Sequence, residues 1–306
     1  MGKKVFILGN GFDINIGWKT KYSDYVYSSY WPLANQKADC SLGQYLAQNA
    51  DIERWFDLEE ILRLYASGYS QNLIADKRDE YLFVEIVRSL TEYIRSEEKK
   101  CVDNNSVAIR VLKAVVENGY FSSIYSFNYT DLSSIAYRVG IDSDIKYSHV
   151  HGNVKDNTII LGIDDKVEVR KGYEFLRKVY NPHYESHHLR YDLQECEEVV
   201  IFGHSLGDID YWYFGDFFEK QCRCIDRRDS KRITIFTKDH KSRIQILEQL
   251  RIMNGAQTER LINDNDFWII TTDAPDNKTL DRFLKHLKED SVSSHDKALA
   301  SIASKF

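Results

Sequence analysis

The sequence predicts an α/β, Rossmann-like fold: a mainly parallel central sheet flanked by helices, with a helical insertion after the first strand. Three observations carry that expectation. A short apolar run, Val5-Phe6-Ile7-Leu8, ends in Gly9-x-Gly11, the pattern of a buried parallel strand followed by a tight turn. From about Asp51 to Gly119 apolar residues recur at helical spacing with no strand pattern between them. Beyond Gly119, short runs rich in β-formers return and are separated by helical stretches.

In order, the first strand passes through Asn10, Phe12 and Asp13 into a turn and a loop at Gly17-Trp18-Lys19-Thr20. Ser23 or Asp24 is then placed to cap a helix. The insertion covers about residues 24–119. Within it Trp55, Leu58, Leu62 and Tyr65 share one helical face, and Phe83, Ile86, Val87, Leu90, Tyr93 and Ile94 share another. A third helix starts at Asn105 or Ser106 and stops at Gly119. These aromatic stripes are expected to pack helix on helix.

Further strands are expected at Phe121–Phe127, Ile145–Val150, Thr158–Gly162, Glu198–Phe202, Arg232–Phe236 and Phe267–Ile270. Between Lys166 and Glu195 lies a polar stretch rich in tyrosine and histidine, helical in parts. An aromatic helix with Tyr211, Trp212, Phe214, Phe217 and Phe218 follows Phe202, and another carries Ile244, Leu247 and Leu250. The last helix spans roughly Asn277–Lys288, and the tail 290–306 is weakly patterned. The whole is read as one domain over residues 1–306.

With 43% hydrophobic and 29% charged residues, the chain has the balance of a folded globular protein. A formal net charge of -6 argues against a general binder of nucleic-acid backbones. No run approaches the roughly 20 apolar residues of a membrane span. The apolar run near the N-terminus is too short for a signal peptide, so a cytoplasmic location is expected. Cys40, Cys101, Cys196, Cys222 and Cys224 form an odd, scattered set that fits reduced thiols. Cys222-x-Cys224 lacks the spacing of a zinc knuckle, and no metal site is expected.

Four strands end in polar or glycine clusters: Gly9-Asn10-Gly11-Phe12-Asp13, Asn128-Tyr129-Thr130-Asp131, His149-Val150-His151-Gly152 and Gly203-His204-Ser205-Leu206-Gly207-Asp208. In a parallel sheet all four share one edge, the edge at which open α/β sheets bind ligands. One nucleotide site is therefore expected there. Ile14 stands where a third glycine would complete a dinucleotide fingerprint, and there is no GK[ST] phosphate loop. Asn128 can turn the chain, or hold a water or ribose hydroxyl through its two-sided amide. His149 and His151 both titrate near neutrality, and one of them is expected to face the site as base. Gly203-x-Ser205-x-Gly207, between a strand and a helix, also has the spacing of a hydrolase nucleophile elbow. That alternative needs a later histidine, and His240, His286 and His295 have no evident place at this edge. Asp208 and Asp210 read most simply as helix caps.

Together with Thr20-x-Tyr22-x-Asp24-Tyr25, these clusters make the sequence resemble the AbiH abortive-infection family of bacterial phage-defence proteins, from the first strand to about residue 215. That family is distantly similar to sirtuin-like domains that cleave NAD in bacterial immunity. The resemblance implies Asn128 as the residue that positions water or ribose and His151 as catalytic base. It implies ligand binding by Gly9, Asn10, Gly11, Phe12, Asp13, Gly203, His204, Ser205, Asp208 and Asp210. Backbone N–H groups of the Gly9–Asp13 turn would cradle phosphate. Asn10 and Phe12-Asp13 depart from the sirtuin Gly-Ala-Gly-x-Ser pattern, and Thr130 stands where an aspartate is usual. The zinc-ribbon cysteines of deacetylating sirtuins are missing, so deacetylation is not expected.

The implied reaction is hydrolysis of the nicotinamide–ribose bond, with NAD as ligand or substrate and no resident cofactor. Two alternatives stand beside it: a metal-dependent nuclease or phosphodiesterase using His149, His151, His204 and Asp208, and a non-catalytic nucleotide sensor. A toxic effector must rest inactive, so a homo-oligomeric resting state and a phage-derived trigger are compatible partners.

Overall fold

The structure is a computed structural model that describes residues 2–34, 39–49, 58–68, 76–117, 119–141, 146–185, 187–223, 229–273 and 278–289. Its strands are β1 (Lys3–Leu8), β2 (Ser123–Ser126), β3 (Ser148–His149), β4 (Cys196–Phe202), β5 (Arg232–Thr237) and β6 (Asp266–Thr271). They form one sheet in the order β3-β2-β1-β4-β5-β6. Every pairing is parallel, as a Rossmann-like fold requires. The order of strand addition reverses between β1 and β4, and such a switch point opens a crevice at the carboxyl edge.

The helices are α1 (Gly11–Asn15), α2 (Tyr22–Val26), α3 (Ser41–Asn49), α4 (Leu58–Ser67), α5 (Lys77–Glu98), α6 (Val107–Glu117), α7 (Leu132–Arg138), α8 (Leu189–Glu195), α9 (Tyr211–Gln221), α10 (His240–Met253), α11 (Thr258–Asp264) and α12 (278–289). Strand alternation divides the core. Phe6, Leu8, Val200 and Phe202 pack with α6, α7 and α12 on one face. Val5, Ile7, Val199 and Ile201 pack with α8, α9, α10 and α11 on the other. Burial on both faces explains why β1 and β4 read as continuous apolar runs.

All of α1 to α6 lie between β1 and β2. Helices α2 to α5 build a separate core from Tyr25, Leu46, Leu62, Ile86 and Leu90, whereas α6 belongs to the sheet. Gly119 ends the α6 region with φ +53, a left-handed value suited to glycine.

Several expectations are corrected. Thr158–Gly162 forms no strand; the neighbouring Ile163 makes only an isolated bridge to Arg177. Its apolar side chains Ile159 and Leu161 enter the insertion's core instead, and burial of that kind leaves the same trace in sequence as a strand. The helix after the first loop begins at Tyr22 with Lys21 at its cap position, not at Ser23 or Asp24. Among the described residues, the strand expected at Ile145–Val150 is reduced to Ser148–His149, with Val150 N–H donating to Ser126 O (2.8 Å) just beyond it. Ile145, Trp55, Cys224, Asn277, His295 and the tail 290–306 lie outside the described residues. Among the described residues no helix is long and apolar enough to cross a membrane.

Candidate functional site

The site begins where β1 and β4 end side by side. Gly9 N–H donates to Phe202 O (2.9 Å), and Gly11 N–H donates to Gly203 O (2.8 Å). A Cβ on Gly9 would lie 2.5 Å from His204 Cα, and one on Gly11 would lie 2.6 Å from Gly203 Cα. The two turns therefore touch backbone to backbone, which only glycine permits. Phe12 N–H donates to Gly9 O (2.9 Å), so these three N–H groups already have partners within the protein. The expected phosphate cradle cannot draw on them in this arrangement. The Phe12 ring points into the core against Phe202, 5.6 Å between centroids.

From α1, Asp13 reaches under the end of β2 and is 1% exposed. Asn128 Nδ2 donates to Asp13 Oδ1 (2.9 Å), and Thr130 Oγ1 lies 3.1 Å from each carboxylate oxygen. Burial pushes the Asp13 carboxyl up to about 7, against hydrogen bonds from Thr130, Asn128 and Thr20 that favour the charged form. Thr20 Oγ1 also bonds Asn10 Oδ1. Thr130 thus serves Asp13 directly, which accounts for a hydroxyl at a position where the resemblance expects a carboxylate. The opposite atom of the Asn128 amide, Oδ1, is buried with no partner among the described residues.

The ends of β3 and β4 meet over a second cluster. His151 Nε2 lies 3.2 Å from Asp210 Oδ1, and His204 Nε2 lies 3.2 Å from Asp210 Oδ2. Leu206 N–H donates to His204 Nδ1 (3.0 Å), so the His204 proton sits on Nε2 and is given to Asp210. Burial alone would raise the Asp210 carboxyl, but the two imidazoles hold it well below the usual carboxylate range. Asp210 occupies the cap position of α9 without making a side-chain cap bond. Its expected role as a cap is replaced by this bridge. Asp208 stands apart, exposed, in a short 3-10 turn.

Burial first, and then the Lys178 charge, push the His151 imidazole down to about 4. At neutral pH the ring is therefore uncharged. With Nε2–H turned to Asp210, its lone pair lies on Nδ1, and that atom is buried without a partner among the described residues. Phe127 packs edge-on against both rings, 5.3 Å from His151 and 4.3 Å from His204. His149 faces elsewhere: its Nδ1 donates to Asn128 O (3.0 Å). Of the two histidines, His151 joins the Asp210 cluster and His149 braces the Asn128 turn.

Ser205 is exposed and has no hydrogen-bond partner among the described residues. Leu206, not Ser205, takes the left-handed backbone of this turn (φ +54). His286 bonds Tyr120, Arg232 and Glu198, the last near the start of β4 at the opposite edge. His240 opens α10 just after β5, His295 lies outside the described residues, and among the described residues no histidine bonds Ser205, so the elbow's spacing is present without an assembled Ser–His pair. Among the described residues no group of three His, Cys, Asp or Glu side chains could hold a metal ion.

Sequence reasoning missed what the insertion brings to this edge. Glu98 Oε1 accepts from Asp131 N–H (2.7 Å), Glu97 Oε2 accepts from Lys19 N–H (3.0 Å), and the Tyr22 and Tyr129 hydroxyls lie 3.0 Å apart. Lys178, buried against Glu59 at 3.0 Å, projects its charge onto His151. No local pattern marks either partner, because they lie 119 positions apart. A cavity of about 440 Å³ opens elsewhere, between α5 and the segment 157–182; Phe83, Arg88, Arg95, Phe175 and Tyr180 line it, and none of the strand-end residues does.

The family model for bacteriophage abortive infection AbiH matches residues 5–228, from β1 to beyond α9. No curated protein matches the chain.

Proposed function

The chain belongs to the bacteriophage abortive infection AbiH family, and from that premise we propose that its strand-end site binds NAD or a related nucleotide and hydrolyses the nicotinamide–ribose bond. Family membership points to defence against phage by abortive infection. The chemistry is read from the site. The observation that carries it is the His151 Nδ1 lone pair, buried and unpartnered, with its tautomer set by Asp210.

In this mechanism a water oxygen bonds to ribose C1′ as the bond from C1′ to the pyridinium nitrogen breaks. The electron pair of that bond goes to the nitrogen, so nicotinamide leaves neutral and needs no proton. His151 Nδ1 accepts the water proton, and the resulting imidazolium is stabilised by Asp210. Asn128 Oδ1, also buried and without a partner among the described residues, takes a hydrogen bond from a ribose hydroxyl or from the water. His204 holds the second oxygen of Asp210 and so fixes the carboxylate's orientation. Enclosure by the insertion would keep other water from the reacting centre.

Purified protein incubated with NAD is expected to release nicotinamide, and His151→Ala is expected to abolish that release. No turnover under any trigger, together with undiminished phage protection in cells carrying His151→Ala, would overturn the reading.

A further inference from the structure

Asn128 and Asp13 are joined by a bond whose direction has a consequence for the site. An ionised carboxylate can only accept hydrogen bonds, so the Asn128 amide must turn its NH2 toward Asp13 Oδ1. Its oxygen then faces the other way, where it is buried and has no partner among the described residues. Buried acceptors are rarely left orphaned without a use. We propose that Asp13 is a positioning residue that sets the orientation of the Asn128 amide, so that Oδ1 is presented to a ribose hydroxyl or to the attacking water. The role in turnover rests on the hydrolytic reading above; the orientation itself does not.

The geometry around Asp13 supports this use. Thr130 from the β2 turn donates to the same carboxylate, Thr20 from the loop after α1 stands beside it with its proton on Asn10 Oδ1, and Glu98 of α5 is the charged group that faces it. Thr130 and Asn128 hold the carboxylate in place, while burial and the Glu98 charge oppose ionisation. Protonation of Asp13 reverses the logic. In the proposed switch the proton sits on the oxygen that faces Asn128, the carboxylic O–H donates to Asn128 Oδ1, the amide turns over, and NH2 replaces oxygen as the group offered to the ligand. A residue with no contact to the substrate thereby decides whether Asn128 acts as acceptor or donor.

The test follows the side-chain amide resonances of Asn128 in the ¹⁵N-labelled full chain while pH is varied. In the wild type they are expected to shift in one step near neutrality. Asp13→Asn should remove the step, and Thr130→Val, which deletes a donor to the carboxylate, should move it to higher pH. Resonances that do not move in the wild type, or an unchanged step in either variant, would overturn the proposal. Nicotinamide release supplies the second arm: Asp13→Asn should lower kcat roughly 10- to 100-fold with little change in KM, the mark of misplacement rather than lost binding. If the wild type releases no nicotinamide, the hydrolytic reading fails, while the resonance titration still decides the role of Asp13.

Discussion

Replacing Asp210 with Asn tests the proposed base through its tautomer. The carboxylate accepts from His151 Nε2 and His204 Nε2, at 3.2 Å each. An amide of the same shape offers one oxygen and one NH2. His204 must still donate from Nε2, because Leu206 N–H occupies its Nδ1. The amide oxygen therefore turns to His204 and the NH2 to His151. His151 can accept that hydrogen bond only by moving its own proton to Nδ1, which removes the lone pair proposed to take the water proton. General-base contributions are about 10²–10⁴-fold, so nicotinamide release should fall by that order. Stability should change much less, by about 1–3 kcal/mol for exchanging charge-assisted bonds for neutral ones. Nicotinamide release and thermal unfolding, measured on the same preparation, separate the two effects. A folded Asp210→Asn protein that releases nicotinamide at the wild-type rate would refute the argument.

Two further outcomes follow from the site's packing and charge. In Gly9→Ala the new methyl would lie 2.5 Å from His204 Cα, so the two turns must separate; a loss of about 1–3 kcal/mol is expected in denaturant unfolding, with a fall in nicotinamide release. Asp13 is expected to make stability depend on pH. Its carboxyl is raised from 3.8 to about 7 on folding, so the folded state holds the proton more tightly. Its favourable contribution is complete below 3.8 and is lost as pH rises through about 7. The full shift corresponds to about 4 kcal/mol, and calorimetry across that window should find a flatter profile in Asp13→Asn.

The parts of the fold legible in sequence are those in which one local pattern has one structural meaning. Val5–Leu8 and Glu198–Phe202 read as strands because a parallel sheet buries both their faces. The gathering of four polar strand ends followed from a parallel sheet alone. Where one pattern serves two structures, sequence reading failed. Thr158–Gly162 is apolar because it packs into the insertion's core, yet a buried strand would look the same. Asp210 stands where a cap would stand, and its partner His151 lies 59 positions earlier. Glu59 and Lys178 meet because the segment from Ile159 to Leu176 packs into the same core as α4.

The glycine turns show how packing and chemistry connect at this edge. Gly9 lets the backbone of the β4 turn approach β1 closely enough for Gly9 N–H to reach Phe202 O and Gly11 N–H to reach Gly203 O. That approach places His204 above β1. The Leu206 N–H then fixes the His204 proton on Nε2, Asp210 is held between two imidazoles, and His151 is left with its lone pair on Nδ1. Each step constrains the next, from a missing Cβ to the protonation of a ring. The glycines therefore matter to the proposed chemistry through the position of His204 rather than through contact with a phosphate. On that argument Gly9→Ala should impair turnover beyond its effect on stability. A Gly9→Ala protein that is destabilised but turns over normally while folded would break the chain at its first link.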